Sequence, residues 1–485
     1  MTDRRSAVIG LVAIGAIAIL RALVLFSPGA PSGVDGGNWL AFGTFDRPGM
    51  AYPPLVPVIF TALVAALGAP VATAVAGAAA TAAPAIAVLA VLTWARRPVA
   101  GILAALAVVA LRATGEVAAW GGYPQPTATA AALVCLVALA AYLLGMSRVA
   151  LATFAVSFAV VVATSHLVAV PTAGAIVLML GGAVVVYRRR ASRRIVAVAA
   201  FTLLPFVVLA PTYGALLSTL GGGGGVRVGP SDAERVLGPG WPLYLAVLVL
   251  VPLVLLLLGR RAWVASALSA RDLVLVVAAS AAATSWILAC AISGEPRLVH
   301  DMGVLALFGV AASVPLVRAV VREERSRAGL AAVALAVVVI LAATGLSAFP
   351  DQVAYYRILT RDRFSAIEWL AANAPAPSRS ILVADLSGVS VGWWTEGVVG
   401  QEVLFASDLR WLRFTTERDR AKQANTLLYR SGFPGPGSAT TIRDAGVRYV
   451  FLPSAGAFGV DPSRPPVGWR VMFAAGDAVV LAPAA

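Results

Sequence analysis

The short segment Ser32-Gly33-Val34-Asp35-Gly36-Gly37-Asn38 sets a carboxylate between glycines, which let a backbone approach a ligand closely. A carboxylate so placed can take a proton from a hydroxyl nucleophile, or it can cap the helix whose pattern starts beside it. Glu116, in Arg112-Ala113-Thr114-Gly115-Glu116, also has two readings. Four residues separate it from Arg112, so the two can neutralise each other on one helix face; alternatively it is a second active-site acid at membrane depth. Ser293–Asp301 gathers Glu295, Arg297, His300 and Asp301 into one short connection. A guanidinium forks onto phosphate oxygens, which makes Arg297, with His300, a candidate phosphate-binding pair; the plain reading is a solvated polar turn. His166, at the end of an apolar run, and Glu295 are candidates for holding a metal or a phosphate. Five glycines, Gly221–Gly225, precede Asp232, Glu234 and Arg235. They make either a flexible tether or a lid that orders over a substrate.

The elements that must position these groups are membrane helices. Hydrophobic residues make up 60% of the 485 and charged residues 12%, with a mean hydropathy of +0.88. A water-soluble surface needs about 25% charged residues. The net charge of +14 does not indicate nucleic acid: Lys422 is the single lysine, and the arginines cluster beside apolar runs, as in membrane proteins. Cys135 and Cys290 lie inside apolar runs and read as small buried hydrophobes. Ala7–Phe26 is too long for a typical signal-peptide core and reads as an uncleaved first helix.

Eleven spans are predicted: Ser6–Phe26, Pro70–Trp94, Val99–Ala119, Thr127–Leu144, Val149–Val168, Pro171–Val186, Ile195–Leu217, Trp241–Leu258, Leu273–Ile292, Met302–Val321 and Gly329–Leu346. Tyr52–Leu67 is apolar but short and opens on Pro53-Pro54, so it reads as an interfacial helix. With that assignment seventeen arginines fall on the cytoplasmic side, while Arg47, Arg227, Arg235 and Arg297 lie in outer loops. The asymmetry puts the N-terminus inside and everything after Pro350 outside. Arg21, near the outer end of the first span, either snorkels to the interface, the favoured reading, or pairs with an acidic residue in the cavity.

After Pro350 long apolar runs stop. Residues 350–485 read as an extracytoplasmic α/β domain, and residues 1–349 as the membrane domain with its external loop 27–51 and interfacial helix 52–67. In the tail, Phe364–Asn373 and Thr440–Ala445 pattern as helices, Ser380–Asp385 and Arg448–Leu452 as strands, and Trp469–Phe473 with Ala478–Leu481 as a hairpin.

An N-terminal span, an early external Asp35, Tyr52-Pro53-Pro54-Leu55 entering an interfacial helix, the Trp120-Gly121-Gly122-Tyr123-Pro124 turn, Ser165-His166 and a large external tail form one pattern. In this it resembles the GT-C superfamily of membrane glycosyltransferases. The resemblance implies transfer of a sugar from a polyprenyl-phosphate donor to a glycan or glycolipid acceptor of the cell envelope, on the outer face of the cytoplasmic membrane. It implies that the early acid of the first external loop, here Asp35, acts as the base or orients the acceptor nucleophile; positive charge, for which Arg297 is the candidate, or a metal would stabilise the leaving phosphate. Trp393-Trp394 would then offer an aromatic platform to the acceptor, or anchor the tail at the interface. Members often carry paired acids or a DxD in these loops. Here Asp35 and Asp46 stand apart and no DxD occurs, so the cofactor stays open, with divalent Mg or Mn as the candidate. Membrane lipids are expected partners and nucleic acid is not. A lipid-linked glycan flippase and an inactive GT-C-like assembly subunit are the alternatives. Against the flippase, no internal repeat is visible and the polar residues gather at one face.

Overall fold

Apolar stretches that cannot satisfy their backbone in lipid must close it internally, and helices do so. The computed structural model describes residues 2–26, 29–45, 52–187, 192–214, 268–295, 297–320, 324–374, 379–385, 391–406 and 415–484, with single positions between 234 and 246. Helices α1 (Thr2–Phe26), α4 (Ala69–Trp94), α5 (Pro98–Ala110) with α6 (Arg112–Trp120), α7 (Pro124–Leu143), α8 (Val149–Thr164), α9 (His166–Tyr187), α10 (Ser192–Val208), α11 (Ala270–Ser293), α12 (Leu298–Val320) and α13 (Glu324–Tyr355) take up ten of the predicted spans. The predicted span Trp241–Leu258 lies outside the described residues. Among the described residues, seven helices are long and apolar enough to cross a membrane, or eight with α5 and α6 taken together. Two short helices lie between α1 and α4: α2 (Gly36–Thr44) and α3 (Leu55–Leu67). The boundary between the fifth and sixth predicted spans moves from residues 169–170 to Ser165, whose extended backbone (φ −151°, ψ 116°) ends α8; Pro171 sits inside α9. His166 therefore opens a helix and does not close one. The last membrane helix likewise continues through Pro350 to Tyr355.

The third span is broken. Leu111 is extended (φ −56°, ψ 138°), and α5 and α6 meet at 44°. Side chains bond to the carbonyls around it: Thr114 Oγ1 donates to Val108 (2.8 Å), Arg21 Nη2 to Leu111 (3.1 Å) and Gln352 Nε2 to Arg112 (3.2 Å). Arg21 is 1% exposed and lies over the Phe349 ring at 5.0 Å. It does not snorkel, because the break supplies it with an acceptor inside the bundle. Gly345 of α13 passes so close to the break that a Cβ would stand 1.9 Å from the Ala110 carbonyl oxygen and 2.8 Å from the Arg112 nitrogen. Both are backbone atoms and cannot move aside. Gly345→Ala should cost about 1–3 kcal/mol, the usual penalty of overpacking; an unchanged thermal midpoint in detergent would disprove the close approach.

The tail folds as an α/β unit on one five-stranded sheet. Strands β1 (Ile381–Val383), β2 (Leu404–Phe405), β3 (Tyr449–Leu452), β4 (Trp469–Ala475) and β5 (Ala478–Pro483) run in the order β2-β1-β3-β5-β4, parallel across the first three and antiparallel thereafter. Helices α14 (Arg361–Asn373), α15 (Val391–Val399), α16 (Thr415–Asn425) and α17 (Ser438–Asp444) accompany it. One face of the sheet, with Leu382, Val450 and Leu481, packs on α16 and α17 residues such as Ala424 and Ile442. The other face shares a core with the membrane part: Ile381, Val383 and Phe405 join Trp39, Leu40, Phe60, Trp393 and Trp394. The tail is thus fixed to the loop that carries Asp35 by continuous apolar packing.

Candidate functional site

Asp35 occupies the N-cap position of α2, as the capping reading requires, yet its side chain makes no cap hydrogen bond. It accepts one from Asn38 Nδ2 instead (3.1 Å). The residue is held from behind by backbone. Its N–H donates to the Trp120 carbonyl (2.9 Å), and Trp39 Nε1 donates to the Gly121 carbonyl (2.6 Å). Both turns depend on glycine in the left-handed region, Gly33 at φ +90° and Gly121 at φ +90°. A Cβ on Gly33 would meet the Trp120 carbonyl carbon at 2.8 Å, and one on Gly121 the Gly36 nitrogen at 2.9 Å. The first loop and the Trp120–Tyr123 turn therefore interlock backbone to backbone.

Trp394 lies under the same loop. Its indole N–H donates to the Gly33 carbonyl (3.1 Å), and its ring and backbone fill the space where Cβ atoms on Gly36 and Gly37 would sit. Trp393 and Trp394 are both fully buried. They are not an exposed platform for an acceptor; the missing side chains at Gly36 and Gly37 draw α15 onto α2 and enclose both rings. Beneath α15, Arg420 pairs with Glu396 (2.7 Å) and Glu417, and lies 5.1 Å from the Trp393 ring centroid. Burial pulls the Arg420 pKa below its ordinary value, although the Glu417 charge opposes this. Arg420→Met would strand two buried carboxylates, and removing one partner of a buried pair costs about 3–5 kcal/mol. Thermal unfolding followed by near-UV circular dichroism should show that loss.

Tyr52, in the segment that enters α3, is a hub of contacts near Asp35. Its ring packs on Trp39 (centroids 4.6 Å apart) and meets His166 edge-on at 5.4 Å. Burial raises the pKa of its phenol; the nearby Arg297 charge opposes this, the Asp35 charge adds to it and the Ser165 side chain opposes it. Positions 35, 52, 165, 166 and 297 thus converge. Arg297 is itself engaged in a fork with Glu295, Nε to Oε1 at 2.7 Å and Nη2 to Oε2 at 3.0 Å. Burial favours the neutral Glu295 carboxyl, but the bonds and charge of Arg297 outweigh it and hold the pKa below the ordinary value. Glu295 is therefore the arginine's partner, and its carboxylate repels a phosphate.

His300 sits below this layer, 4% exposed. Its Nδ1 is 3.1 Å from the Arg297 carbonyl oxygen, which can only accept, so Nδ1 carries the proton. Nε2 faces Glu116 Oε2 at 3.6 Å, and Tyr356 donates to Glu116 Oε1 (2.7 Å). Glu116 is thus tied to α12 and to the residue that follows α13. The neighbouring Asp301 accepts from Thr129 (2.7 Å), Gln125 (3.1 Å) and Trp286 (3.4 Å), joining α7, α11 and α12. Gln125 also donates to the Arg297 carbonyl (2.6 Å).

The sequence pattern singled out Asp35, His166 and Arg297, and the structure brings them together. It missed the hub role of Tyr52, the Tyr356 partner of Glu116 and the Asp301 clamp; the Tyr-Pro-Pro segment was the available signal for the first. Asp232 and Arg235 lie outside the described residues, and Glu234 is an isolated exposed position. Asp46 is likewise outside them. Among the described residues no three His, Cys, Asp or Glu side chains come together as a metal site.

The multi-pass bundle, the α2–α3 layer and the α/β tail share the fold of solved structures of the GT-C type. ArnT from Cupriavidus metallidurans bound to undecaprenyl phosphate superposes with a TM-score of 0.58 at 13% identity, over 98% of each chain. The same protein in the apo state gives 0.57 at 14% identity, over 97% of each chain. An Archaeoglobus fulgidus oligosaccharyltransferase covers 90% of this chain and 67% of its own at 13% identity, with a TM-score of 0.43. No protein-family model matches the chain, and no curated protein matches it in sequence.

Proposed function

We propose that the protein transfers a sugar from a polyprenyl-phosphate-linked donor to a cell-envelope acceptor, at the outer face of the cytoplasmic membrane. The observation that carries this reading is the convergence of Asp35, Tyr52, His166 and Arg297 beneath the tail, on a GT-C fold. The arginine distribution supports an outward-facing site, and ArnT, a structural neighbour, was solved with undecaprenyl phosphate.

In this reading the acceptor hydroxyl gives its proton to Asp35 as its oxygen bonds to the anomeric carbon. The bond from that carbon to the phosphate oxygen breaks, and its electron pair leaves with the lipid phosphate. Arg297 stabilises the charge that develops there, and His300 and Gln125 position it through its carbonyl. Tyr52 fixes the acceptor side between Trp39 and His166. Glu116 supports this layer through Tyr356 and His300.

The test is release of polyprenyl phosphate from a radiolabelled polyprenyl-phosphate sugar by the purified protein in lipid nanodiscs. Release that requires an envelope glycan or glycolipid supports transfer. Translocation of intact donor without release would indicate a flippase, and inertness in both assays an assembly subunit. Arg297→Gln should raise the donor KM roughly 10- to 100-fold, the weight of a charge-assisted hydrogen bond. Glu295→Gln should lower it, because it removes the competing carboxylate. An unchanged KM in both variants would place the phosphate elsewhere.

A further inference from the structure

A lateral groove lies on the opposite, arginine-rich end of the bundle. Its volume is about 520 Å³, within the roughly 300–1,000 Å³ of ligand pockets. The floor is one stripe of α7, Val134, Val137, Ala138 and Ala141, spaced at three and four residues. The alanines give it depth. Ala90–Trp94 of α4 and Val149–Thr153 of α8 form its walls. Almost everything on these surfaces is hydrocarbon, which water would wet poorly and an acyl chain would fill.

One end is different. Arg271, just inside the N-terminus of α11, closes the groove, and Ser147 lies at the same end. Its Nη1 donates to the Trp94 carbonyl (2.7 Å), and the guanidinium stands 5.4 Å from the centre of that indole. No carboxylate among the described residues pairs with it. The adjacent Asp272 is committed elsewhere: both its oxygens accept from Arg97, and Ser269 bonds it as well. Arg96 and Arg148 add exposed positive charge nearby in sequence to the lining residues Trp94 and Val149. A partly buried cation with no carboxylate partner among the described residues, at the head of an apolar trough about two helical turns long, matches one kind of occupant in both charge and polarity.

We propose that this groove binds an anionic phospholipid of the surrounding leaflet, one acyl chain along α7 and the phosphate on Arg271. The site is remote from Asp35 and independent of the transfer reaction, so it stands or falls without it. A lipid seated there also bridges α4, α8 and α11, and should raise the stability of the bundle.

Native mass spectrometry of the full-length protein, released from detergent with added phosphatidylglycerol or phosphatidylcholine of matched chains, tests this. Phosphatidylglycerol should be retained at least about fivefold better, the discrimination expected for one arginine at a lipid surface. Arg271→Gln should abolish that preference, and Ala138→Phe, which fills the floor and leaves the charge, should reduce retention of both lipids. Arg443→Gln on the tail should change neither. Phosphatidylglycerol should raise the thermal midpoint of the wild type, and inorganic phosphate should not. Equal retention of the two lipids, or an undiminished preference in Arg271→Gln, overturns the proposal; so does protection by inorganic phosphate alone. Should Arg271→Gln fail to fold, Ala138→Phe and the lipid comparison on wild type decide it.

Discussion

Asp35→Asn is expected to lower the rate of sugar transfer about 10²–10⁴-fold, the usual contribution of a positioned general base. The substitution removes basicity and little else. An amide oxygen at position 35 can still accept from Asn38 Nδ2, and the main-chain bond from residue 35 to Trp120 does not involve the side chain. The thermal midpoint in detergent and the donor KM should therefore stay near wild type while kcat falls. Labelled polyprenyl phosphate released under saturating donor and acceptor measures it. A variant that turns over at the wild-type rate would remove Asp35 from the chemistry. A variant that fails to insert or fold would instead mean that the buried carboxylate organises the loop.

The second large effect is expected at Trp394, far from Asp35 in sequence. Trp394→Ala empties the space beneath Gly36 and Gly37 and removes the donor to the Gly33 carbonyl. Large-to-small changes of a buried aromatic cost about 3–5 kcal/mol. Here the cost falls on the contact between tail and loop, so the tail should become susceptible to limited proteolysis before the membrane bundle loosens. Because displacement of a reacting group by about 1 Å can cost on the order of 10² in rate, kcat should fall with Asp35 intact. Trp394→Phe keeps most of the packing and loses the hydrogen bond, an effect of about 0.5–1.5 kcal/mol. If the alanine variant is as active and as protease-resistant as wild type, Trp394 does not position the loop.

Much of the architecture was legible because its cause is local. A run of some twenty apolar residues satisfies its own backbone within one segment, so the spans could be read without knowing their neighbours. The C-terminal hairpin at Trp469–Phe473 and Ala478–Leu481 could be read for the same reason. What escaped was set by contacts between segments. The break at Leu111 leaves no polar or proline signal at that residue; the side chains that bond to the carbonyls around it, from Arg21, Thr114 and Gln352, include two from other segments. Reading Arg21 as a snorkelling residue failed because an isolated span gives no hint of an acceptor inside the bundle.

The site divides along the same line. Glycines around Asp35 and the Gly121-Gly122 turn announced close backbone approach, and the arginine pattern separated the two ends of the bundle; sequence alone determined that much. It could not determine what approaches. Gly33 is met by Trp394, 361 residues away, so a tryptophan pair that looked available to a sugar became the support of the loop. Arg297 likewise looked like an uncommitted cation until the chain turn set it against Glu295, and Tyr52 acquired its place only when residues 35, 166 and 297 closed around it. Hydropathy is a property of one segment, whereas the position of a charge depends on every segment packed against it, and only the tertiary structure supplies those.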